Sequence, residues 1–266
     1  MGPEWSVYDR LLAELPADER VSACLVGSAW TLVEAQGVGM AMSFHDDTWQ
    51  SCTTSRVAGR PLAQVAAQLT SWNLAEAAIG LAALNAHYNA RDRVEQWLGR
   101  RIGDTEDSPV FRSLEDEVAG KKVGVVGHFP GLERLAARCR LTIFERRPQP
   151  GDLPDYAEDY VLPAMDWVLI TGTALTNKTL PHLLAITHKA RVVLVGPSVP
   201  LTPLWFELGV HMLAGSVVTD KDRLWPVVQE GSCFDVFRNG VARIQVRADA
   251  KPRRGPTMDD ESHATG

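Results

Sequence analysis

The chain has 266 residues, a length that allows one large domain or two smaller ones. Its formal net charge of -6 does not suit nucleic-acid binding, which needs a basic surface, and no apolar run approaches the roughly 20 residues of a membrane-spanning helix. The N-terminus is acidic and lacks the basic and then apolar regions of a signal peptide. We therefore expect a cytoplasmic protein with neither a nucleic-acid nor a membrane partner.

The first hundred residues predict an α+β domain. Apolar side chains at helical spacing predict an amphipathic helix over residues 3–20, ended by Pro16. Apolar runs over residues 21–59 predict two or three antiparallel strands. Helical periodicity returns over 62–69 and 73–88, and the small side chains of the second helix predict a close neighbour, either within the chain or across a homodimer.

Residues 101–120 are polar and acidic and are predicted to join two domains, with a short helix over 110–117. Beyond them the pattern alternates between strand and helix, which predicts an α/β domain with a mostly parallel sheet over residues 121–247. The predicted strands are 123–126, 141–144, 167–171, 192–195, 212–218 and an edge strand at 241–246. The predicted helices are 132–138, 180–189, 203–208 and 220–230. The charged tail 248–266 has no apolar period and is expected to be disordered.

Residues 121–131 are the most informative stretch of the chain. Two lysines precede a short apolar run that ends at Gly127, and the turn that follows opens a helical pattern. A strand, a tight turn and a helix start in this order present free backbone N–H groups at the carboxyl edge of an open α/β sheet. The stretch predicts a ligand site at the first strand-to-helix turn of a Rossmann-like domain.

Four predicted strand ends carry glycine or polar residues that suit a ligand at the same edge. Glycines let the chain turn sharply and let a ligand approach the backbone, while hydroxyl, amide and carboxylate groups supply hydrogen bonds. The candidates at these ends are Gly127, His128, Phe129, Pro130, Glu145, Gly172, Thr173, Asn177, Gly196, Pro197 and Ser198.

Two of these residues have competing interpretations. Glu145 lies 21 residues after Gly124, a position where an acid often bonds a ribose hydroxyl, but the glycines do not follow the dinucleotide pattern, which disfavours an NAD(P) cofactor. The simpler interpretation is a solvated strand end that pairs with Arg146 or Arg147. His128 is either a ligand-binding or acid–base group, or a turn histidine that faces water.

The first domain offers further candidates. His45, Asp46 and Asp47 form the densest group of metal donors, yet at most two of three consecutive extended residues can share an ion, so a polar hairpin turn is the alternative. Asn73 and Glu76 fit both a helix N-cap pair and a ligand site. Asn85 lies on an otherwise apolar helix and needs a hydrogen-bond partner if it is buried.

Five ordered blocks resemble the putative heavy-metal-chelation family, whose members are small prokaryotic proteins of unknown function. The blocks are residues 124–130 (GVVGHFP), 151–155 (GDLPD), 171–179 (TGTALTNKT), 196–198 (GPS) and 214–218 (AGSVV). Residues 73–86 (NLAEAAIGLAALNA) resemble the helix of that family's first domain. The resemblance implies an enolase-N-terminal-like α+β domain over residues 1–100, followed by a Rossmann-like domain.

The resemblance also implies a site in the cleft between the two domains. It assigns to this site three residues of the first domain, Asn73, Glu76 and Asn85. From the second domain it assigns Gly127, Pro130, Glu145, Gly172, Thr173, Asn177 and Pro197.

The leading hypothesis is a protein that binds, and as an enzyme would process, a small polar, anionic or metal-chelating molecule in the interdomain cleft. Glu76, Glu145 and His128 are then the candidate catalytic groups for proton transfer. One alternative is a protein that binds a metal ion directly through side chains such as His45, Asp46, Asp47 or His128. The other is an enzyme that depends on a nucleotide cofactor, either NAD(P) or S-adenosylmethionine.

Overall fold

A computed structural model of the chain describes residues 5–45, 56–104, 107 and 109–248. The fold is mixed α/β, with a three-stranded antiparallel sheet and a seven-stranded, mostly parallel sheet. In the described part of the chain no helix has the length and apolar character needed to cross a bilayer. The predicted tail begins at the last described residue, so its predicted disorder lies outside the described residues.

The first sheet is a meander, as the apolar runs predict. Strands β1, β2 and β3 pair in sequence order and antiparallel, with Leu32 opposite both Leu25 and Met40. The bounds of the elements in this half are α1 (Ser6–Ala13), β1 (Ala23–Val26), β2 (Trp30–Glu34), β3 (Val38–Met42), α2 (Leu62–Ala66), a 3-10 turn (Ala67–Thr70), α3 (Leu74–Tyr88) and α4 (Arg91–Leu98).

Helix α3 is buried on every side from Ala77 to Tyr88 and packs within the chain. It lies against β3 so closely that a Cβ on Gly39 would be 1.9 Å from the carbonyl oxygen of Ala82. On another side, a Cβ on Gly80 would be 2.1 Å from the backbone nitrogen of Leu69. The small-residue composition of the helix therefore reflects backbone-to-backbone packing inside the protein, and no partner subunit is needed to explain it.

The second half alternates strand and helix as predicted, but several helices are shorter. The predicted helix 180–189 ends at Ile186, where the Thr187 hydroxyl donates to the Leu183 carbonyl at 2.6 Å. The predicted helix 203–208 ends at Glu207, and Gly209, with a φ of +86°, turns the chain. The elements are α5 (Val110–Leu114), β4 (Lys122–Val126), α6 (Glu133–Ala136), β5 (Arg140–Glu145), β6 (Leu153–Pro154), α7 (Glu158–Val161), β7 (Trp167–Thr171), α8 (Thr173–Thr176), α9 (Leu180–Ile186), β8 (Arg191–Val195), α10 (Leu204–Glu207), β9 (Val210–Val218), α11 (Lys221–Gln229) and β10 (Val241–Arg247).

The order of strands in the large sheet is β10-β9-β8-β7-β4-β5-β6. Strand β4 pairs in parallel with β5 on one side and with β7 on the other, so the direction of winding reverses between β4 and β7. β10 is an edge strand, as predicted, and it pairs antiparallel with β9. The two-residue strand β6 forms the opposite edge. In sheets of this kind the reversal opens a crevice at the carboxyl ends of the two central strands.

The two halves of the chain share one hydrophobic core. A single buried cluster includes Leu11, Leu69 and Leu81 from the first half together with Ile170 and Leu194 from the second. A second cluster covers the other face of the large sheet and includes Val110, Leu114 and Val118 from the predicted junction. The domain bounds 1–100, 101–120 and 121–247 stay a prediction.

Asn89, just beyond the end of α3, joins the two halves by three hydrogen bonds. Its side-chain amide donates to the carbonyl oxygens of Val199 at 2.9 Å and Ser216 at 3.1 Å. Its side-chain oxygen accepts from the backbone N–H of Leu201 at 2.7 Å. Asn89 is only 3% exposed, so water cannot replace these bonds.

We expect Asn89→Ala to lower the free energy of unfolding by about 3 kcal/mol, because two carbonyls and one N–H would be left buried without a partner. Urea denaturation followed by circular dichroism measures this loss. Asn239, whose side chain donates to the Asp235 carbonyl at 2.8 Å near the surface, is the matched control. Equal losses in the two variants would contradict the role assigned to Asn89.

Glu158 carries a half-buried carboxyl at the start of α7. Burial, with the nearby Asp155 and Asp159 carboxylates, raises the pKa of Glu158 from 4.5 to about 7. A raised carboxyl pKa favours the protonated form in the folded state. The protonated Glu158 carboxyl therefore contributes fully to the free energy of unfolding below pH 4.5. This contribution is lost as the pH rises to about 7, because the half-buried group must then carry a charge.

We expect Glu158→Gln to stabilise the protein by about 1–2 kcal/mol at pH 8, a value that allows for solvent screening of a partly buried group. The same variant should change stability little at pH 4, where the carboxyl is protonated in both states. Urea unfolding at the two pH values tests this. Glu133→Gln is the control at an exposed helix residue, and a gain from Glu158→Gln that is equal at both pH values would refute the titration argument.

Candidate functional site

The carboxyl ends of β4 and β7 flank the reversal point of the large sheet. Gly127 follows β4 with a φ of +99°, a left-handed conformation that glycine adopts without strain. A Cβ at this position would lie 3.3 Å from the Thr171 side chain and 3.5 Å from the Phe129 ring. The chain therefore needs glycine here to turn in the narrow space between the two strand ends.

Phe129 lies over this reversal point. Its ring is also within 3.9 Å of where a Cβ on Gly196 would stand, at the end of β8, and it packs edge-on against Phe111 at 5.8 Å between ring centres. The Phe129 ring therefore lies between the ends of β4 and β8. Two open depressions of about 520 and 560 Å³ lie elsewhere, beside α4 and at the amino ends of the central strands.

Glu145, at the end of β5, organises the neighbouring turn. One carboxylate oxygen accepts from the backbone N–H of His128 at 3.0 Å, and the other accepts from that of Arg147 at 3.2 Å. The N–H of Gly127 bonds the Phe144 carbonyl at 2.8 Å. Two of the backbone groups predicted to hold an anionic ligand thus already have partners within the chain, and helix α6 is a single turn. The roles of Glu145 in proton transfer and ligand binding stay predictions.

His128 has a carboxylate partner that its sequence neighbours do not reveal. Its ring Nδ1 lies 2.9 Å from a carboxylate oxygen of Asp152, which also accepts from the backbone N–H of Gln149 at 3.0 Å. The Asp152 side chain is 4% exposed, whereas 32% of the His128 side chain is exposed. With the carboxylate at Nδ1, the other ring nitrogen, Nε2, points away from Asp152, and no described residue bonds Nε2.

The segment after β7 is held by short-range bonds. The hydroxyls of Thr171 and Thr173 lie 2.9 Å apart, and the side-chain oxygen of Asn177 accepts from both the N–H and the hydroxyl of Thr179. Gly172 lies so close to the next strand end that a Cβ there would be 2.6 Å from the backbone nitrogen of Val199. These contacts account for the local conformation, and the ligand roles of Gly172, Thr173 and Asn177 stay predictions.

The strand end after β8 is tied to the first half. Ser198 is buried, and its hydroxyl accepts from the backbone N–H of Met42 at 3.0 Å. Pro197 beside it is partly buried, and Pro130 in the first turn is exposed. Ser198 thus lies at the junction between the two sheets, where it links their backbones.

Ser71 connects the residues predicted at the start of α3 with Lys178. Asn73 caps the helix by accepting from the N–H groups of Ala75 and Glu76 at 3.0 and 3.3 Å, as its cap pattern predicts. The Glu76 carboxylate accepts from the Ser71 hydroxyl at 2.7 Å, and the Lys178 ammonium donates to the Ser71 carbonyl. Two predicted residues of the first half are thereby placed beside the loop that contains Asn177.

Asn85 lies apart from both groups. It is fully buried, its amide donates to the Met40 carbonyl at 2.9 Å, and its side-chain oxygen has no partner. The side-chain nitrogen of Asn85 thus has the partner that a buried asparagine is expected to need, a carbonyl of strand β3, whereas its side-chain oxygen does not. Its ligand-binding role stays a prediction.

Only His45 of the three predicted metal donors at the first hairpin lies within the described residues. A ring nitrogen of His45 bonds the Ser28 carbonyl at 2.8 Å, while Asp46 and Asp47 lie outside the described residues. Over the described ranges, no group of three or more His, Cys, Asp or Glu side chains is placed to hold a metal ion.

Sequence reasoning missed Asp152 and Lys178 as members of these groups. Asp152 lies 24 positions from His128, and only the pairing of β5 with β6 brings the two side chains together. The block 151–155 does carry the signal, since an acid directly after glycine at a chain turn is placed to bond backbone or side-chain donors nearby. Lys178 stands in the block 171–179, but nothing in that block indicates burial against the first half.

We expect Glu145→Ala to free the N–H groups of His128 and Arg147 and to raise their hydrogen-exchange rates by on the order of tenfold. The N–H of Gly127, which bonds a backbone carbonyl, should keep its protection and serves as the internal reference. NMR hydrogen exchange measures all three amides in one sample. Glu133→Ala, at an exposed helix residue, is the control variant, and unchanged exchange at His128 in Glu145→Ala would contradict the assignment.

Comparison with known proteins finds two family models that match this chain. A family model described as "Putative heavy-metal chelation" matches residues 110–247, and a second model with the same description matches residues 8–88. An uncharacterised protein of Methanocaldococcus jannaschii is 29% identical over 187 residues, which cover 67% of this chain and 69% of that protein.

Two crystal structures of DUF364-family proteins with unknown function have similar folds. The protein from Desulfitobacterium hafniense is 35% identical, with a TM-score of 0.84, and the match covers 92% of this chain and 98% of that one. The protein from Pyrococcus horikoshii is 22% identical, with a TM-score of 0.75 and coverage of 92% and 99%, and it supports the fold alone. The likenesses to the Rossmann fold and to the first domain of enolase stay predictions.

Proposed function

Because this chain belongs to the family described as "Putative heavy-metal chelation", we propose that it binds a metal ion already held by a small polar chelating molecule. The proposed site is the carboxyl edge of the large sheet, where the ends of β4 and β5 meet. His128 would supply one ligand to the metal, and the small molecule would supply the others. The metal is here the cargo of the protein.

The pairing of His128 with Asp152 carries this proposal. Histidines that bind metals through one ring nitrogen commonly donate the other N–H to a carboxylate, which fixes the ring and raises its basicity. Nδ1 of His128 lies 2.9 Å from the nearly buried Asp152 carboxylate, and the partly exposed ring directs Nε2 away from it. The carboxylate is itself held by the N–H of Gln149.

The donor set favours a chelate over a bare ion. A bare Zn²⁺ ion in a protein usually takes three or four protein ligands. The described residues offer no group of three or more such donors, and at this edge they offer one imidazole nitrogen. A single nitrogen suits a metal whose remaining positions are filled by a small molecule.

The neighbouring groups suit a polar, anionic chelator. Arg146 and Arg147 follow β5 and are exposed, although Arg146 also pairs with Asp155 at 3.4 Å. The backbone N–H groups of Arg147 and His128 bond the same Glu145 carboxylate. Phe129 would bound the site on the side of β8, since its ring reaches Gly196. If the protein also transforms its ligand, the same His128 and Asp152 pair would move protons as a base and its orienting carboxylate.

Titration with copper(II) iminodiacetate, a chelate with coordination positions left for an imidazole, tests the proposal by calorimetry. We expect one equivalent to bind the wild-type protein and His128→Asn to weaken this binding at least about tenfold. Asp152→Asn should weaken it by about tenfold, because Asp152 holds the ring through Nδ1 while the metal would bind Nε2. Native mass spectrometry and elemental analysis of freshly purified, untagged protein complement the titration. A co-purifying metal chelate would support the proposal directly.

His182 provides a matched control, because it is exposed and also pairs with a carboxylate, that of Asp159 at 2.5 Å. His182→Asn should leave the tight equivalent intact. Unchanged binding in His128→Asn, or an equal loss in His182→Asn, would show ordinary surface coordination and would overturn the proposal.

A further inference from the structure

Lys178 lies where the two halves of the chain meet, in the loop between α8 and α9. Its backbone has a φ of +67°, which makes it the one non-glycine residue of the described chain in the left-handed region. Its side chain extends from this loop to the first half of the chain, where the ammonium donates to the Ser71 carbonyl. The same ammonium donates to the Thr176 carbonyl at 2.7 Å. A conformation this uncommon persists only where the surrounding structure maintains it.

The partners of this amine are neutral. Both acceptors are backbone carbonyls, and in the described chain no carboxylate forms an ion pair with the Lys178 ammonium, in contrast to Lys221, which pairs with Glu34 at 2.7 Å. Burial therefore lowers the pKa of Lys178 from 10.5 to about 8. A larger share of the amine is then neutral and nucleophilic near neutral pH than for an ordinary lysine.

A proton-transfer group stands beside the amine. Ser71, whose carbonyl contacts Lys178, donates its hydroxyl to the Glu76 carboxylate at 2.7 Å. Ser71 thus contacts the amine through its backbone carbonyl and the Glu76 carboxylate through its hydroxyl, at the start of α3. A carboxylate there can carry a proton from the amine nitrogen to the hydroxyl group that a carbonyl adduct loses as water.

Two buried oxygens in the same region lack partners. Thr176 is 1% exposed, and its hydroxyl oxygen forms no hydrogen bond, although its carbonyl accepts from Lys178. The side-chain oxygen of Gln68 is also buried without a partner, in the 3-10 turn that contacts α8. Buried polar atoms of this kind are usually satisfied by a water, an ion or a ligand.

We propose that Lys178 forms an imine with a small polar aldehyde or ketone bound at this junction. The Nζ lone pair attacks the carbonyl carbon, and as the C–N bond forms one N–H proton passes to the carbonyl oxygen. The Glu76 carboxylate takes the second N–H proton and returns it to the resulting hydroxyl group, which leaves as water as the C=N bond forms. The amine loses two hydrogens and the carbonyl compound its oxygen, so the step needs no oxidant, reductant or metal. The Thr176 hydroxyl would bond a polar substituent of the bound compound.

Reductive trapping tests this inference on the full chain. Protein is mixed with glyoxylate and cyanoborohydride, and the modified lysines are identified by proteolysis and mass spectrometry. We expect Lys178 to be trapped at least about tenfold faster than the exposed Lys189 at pH 7.5, because more of its amine is neutral. The rate at Lys178 should rise with pH and level off above about pH 8.

Three variants separate this chemistry from a structural role. Lys178→Arg keeps a cation and should abolish the fast adduct, while Lys189→Arg should leave it unchanged. Glu76→Gln should slow imine trapping at Lys178 but not its acylation by trace acetic anhydride, which needs no loss of water. Trapping of Lys178 no faster than Lys189, or equal effects of Glu76→Gln on both reactions, would overturn the proposal. Copper chelate binding at His128 is independent of all these results.

Discussion

The packing of α3 against β3 is the contact on which the rest of this structure depends. At Gly39 the strand backbone and the helix backbone touch without an intervening side chain. Because the helix is then fixed from Ala77 to Tyr88, both of its ends are fixed as well. At one end Asn73 and Glu76 bond Ser71, whose carbonyl accepts from Lys178. Beyond the other end Asn89 reaches the backbone of the large sheet. One close contact thus positions groups on both sides of the molecule.

Local patterns predicted most of the elements and the helix cap. The alternation of apolar residues placed the three-stranded meander, and Asn73 followed by Glu76 predicted the start of α3. Helix α4 escaped prediction because its sequence, RDRVEQWL, is dominated by charged and polar residues, so its apolar stripe is narrow. Strand β6 escaped it because two residues carry no periodicity, and only pairing with β5 defines them.

The candidate sites were harder to predict, because their pairings are tertiary. His128 can be recognised as a turn histidine from its neighbours, but its partner Asp152 is defined by how β5 and β6 lie side by side. Glu145 stands at the predicted strand end, yet its carboxylate is engaged by two N–H groups of the turns on either side. Sequence spacing can place such residues at one edge of a sheet. Which donor each one meets follows from packing that no local window contains.

The two edges of the large sheet have a consequence for how this protein associates. Unprotected edge strands recruit strands of other molecules, which leads to sheet extension and aggregation. Here β6 has only two residues, one of them Pro154, which lacks an N–H. Along β10, Arg243 pairs with Asp107 at 2.5 Å and Arg247 with Glu117, so the segment before β4 packs along that strand. Both edges of the large sheet thus carry features that disfavour the addition of a strand from another molecule.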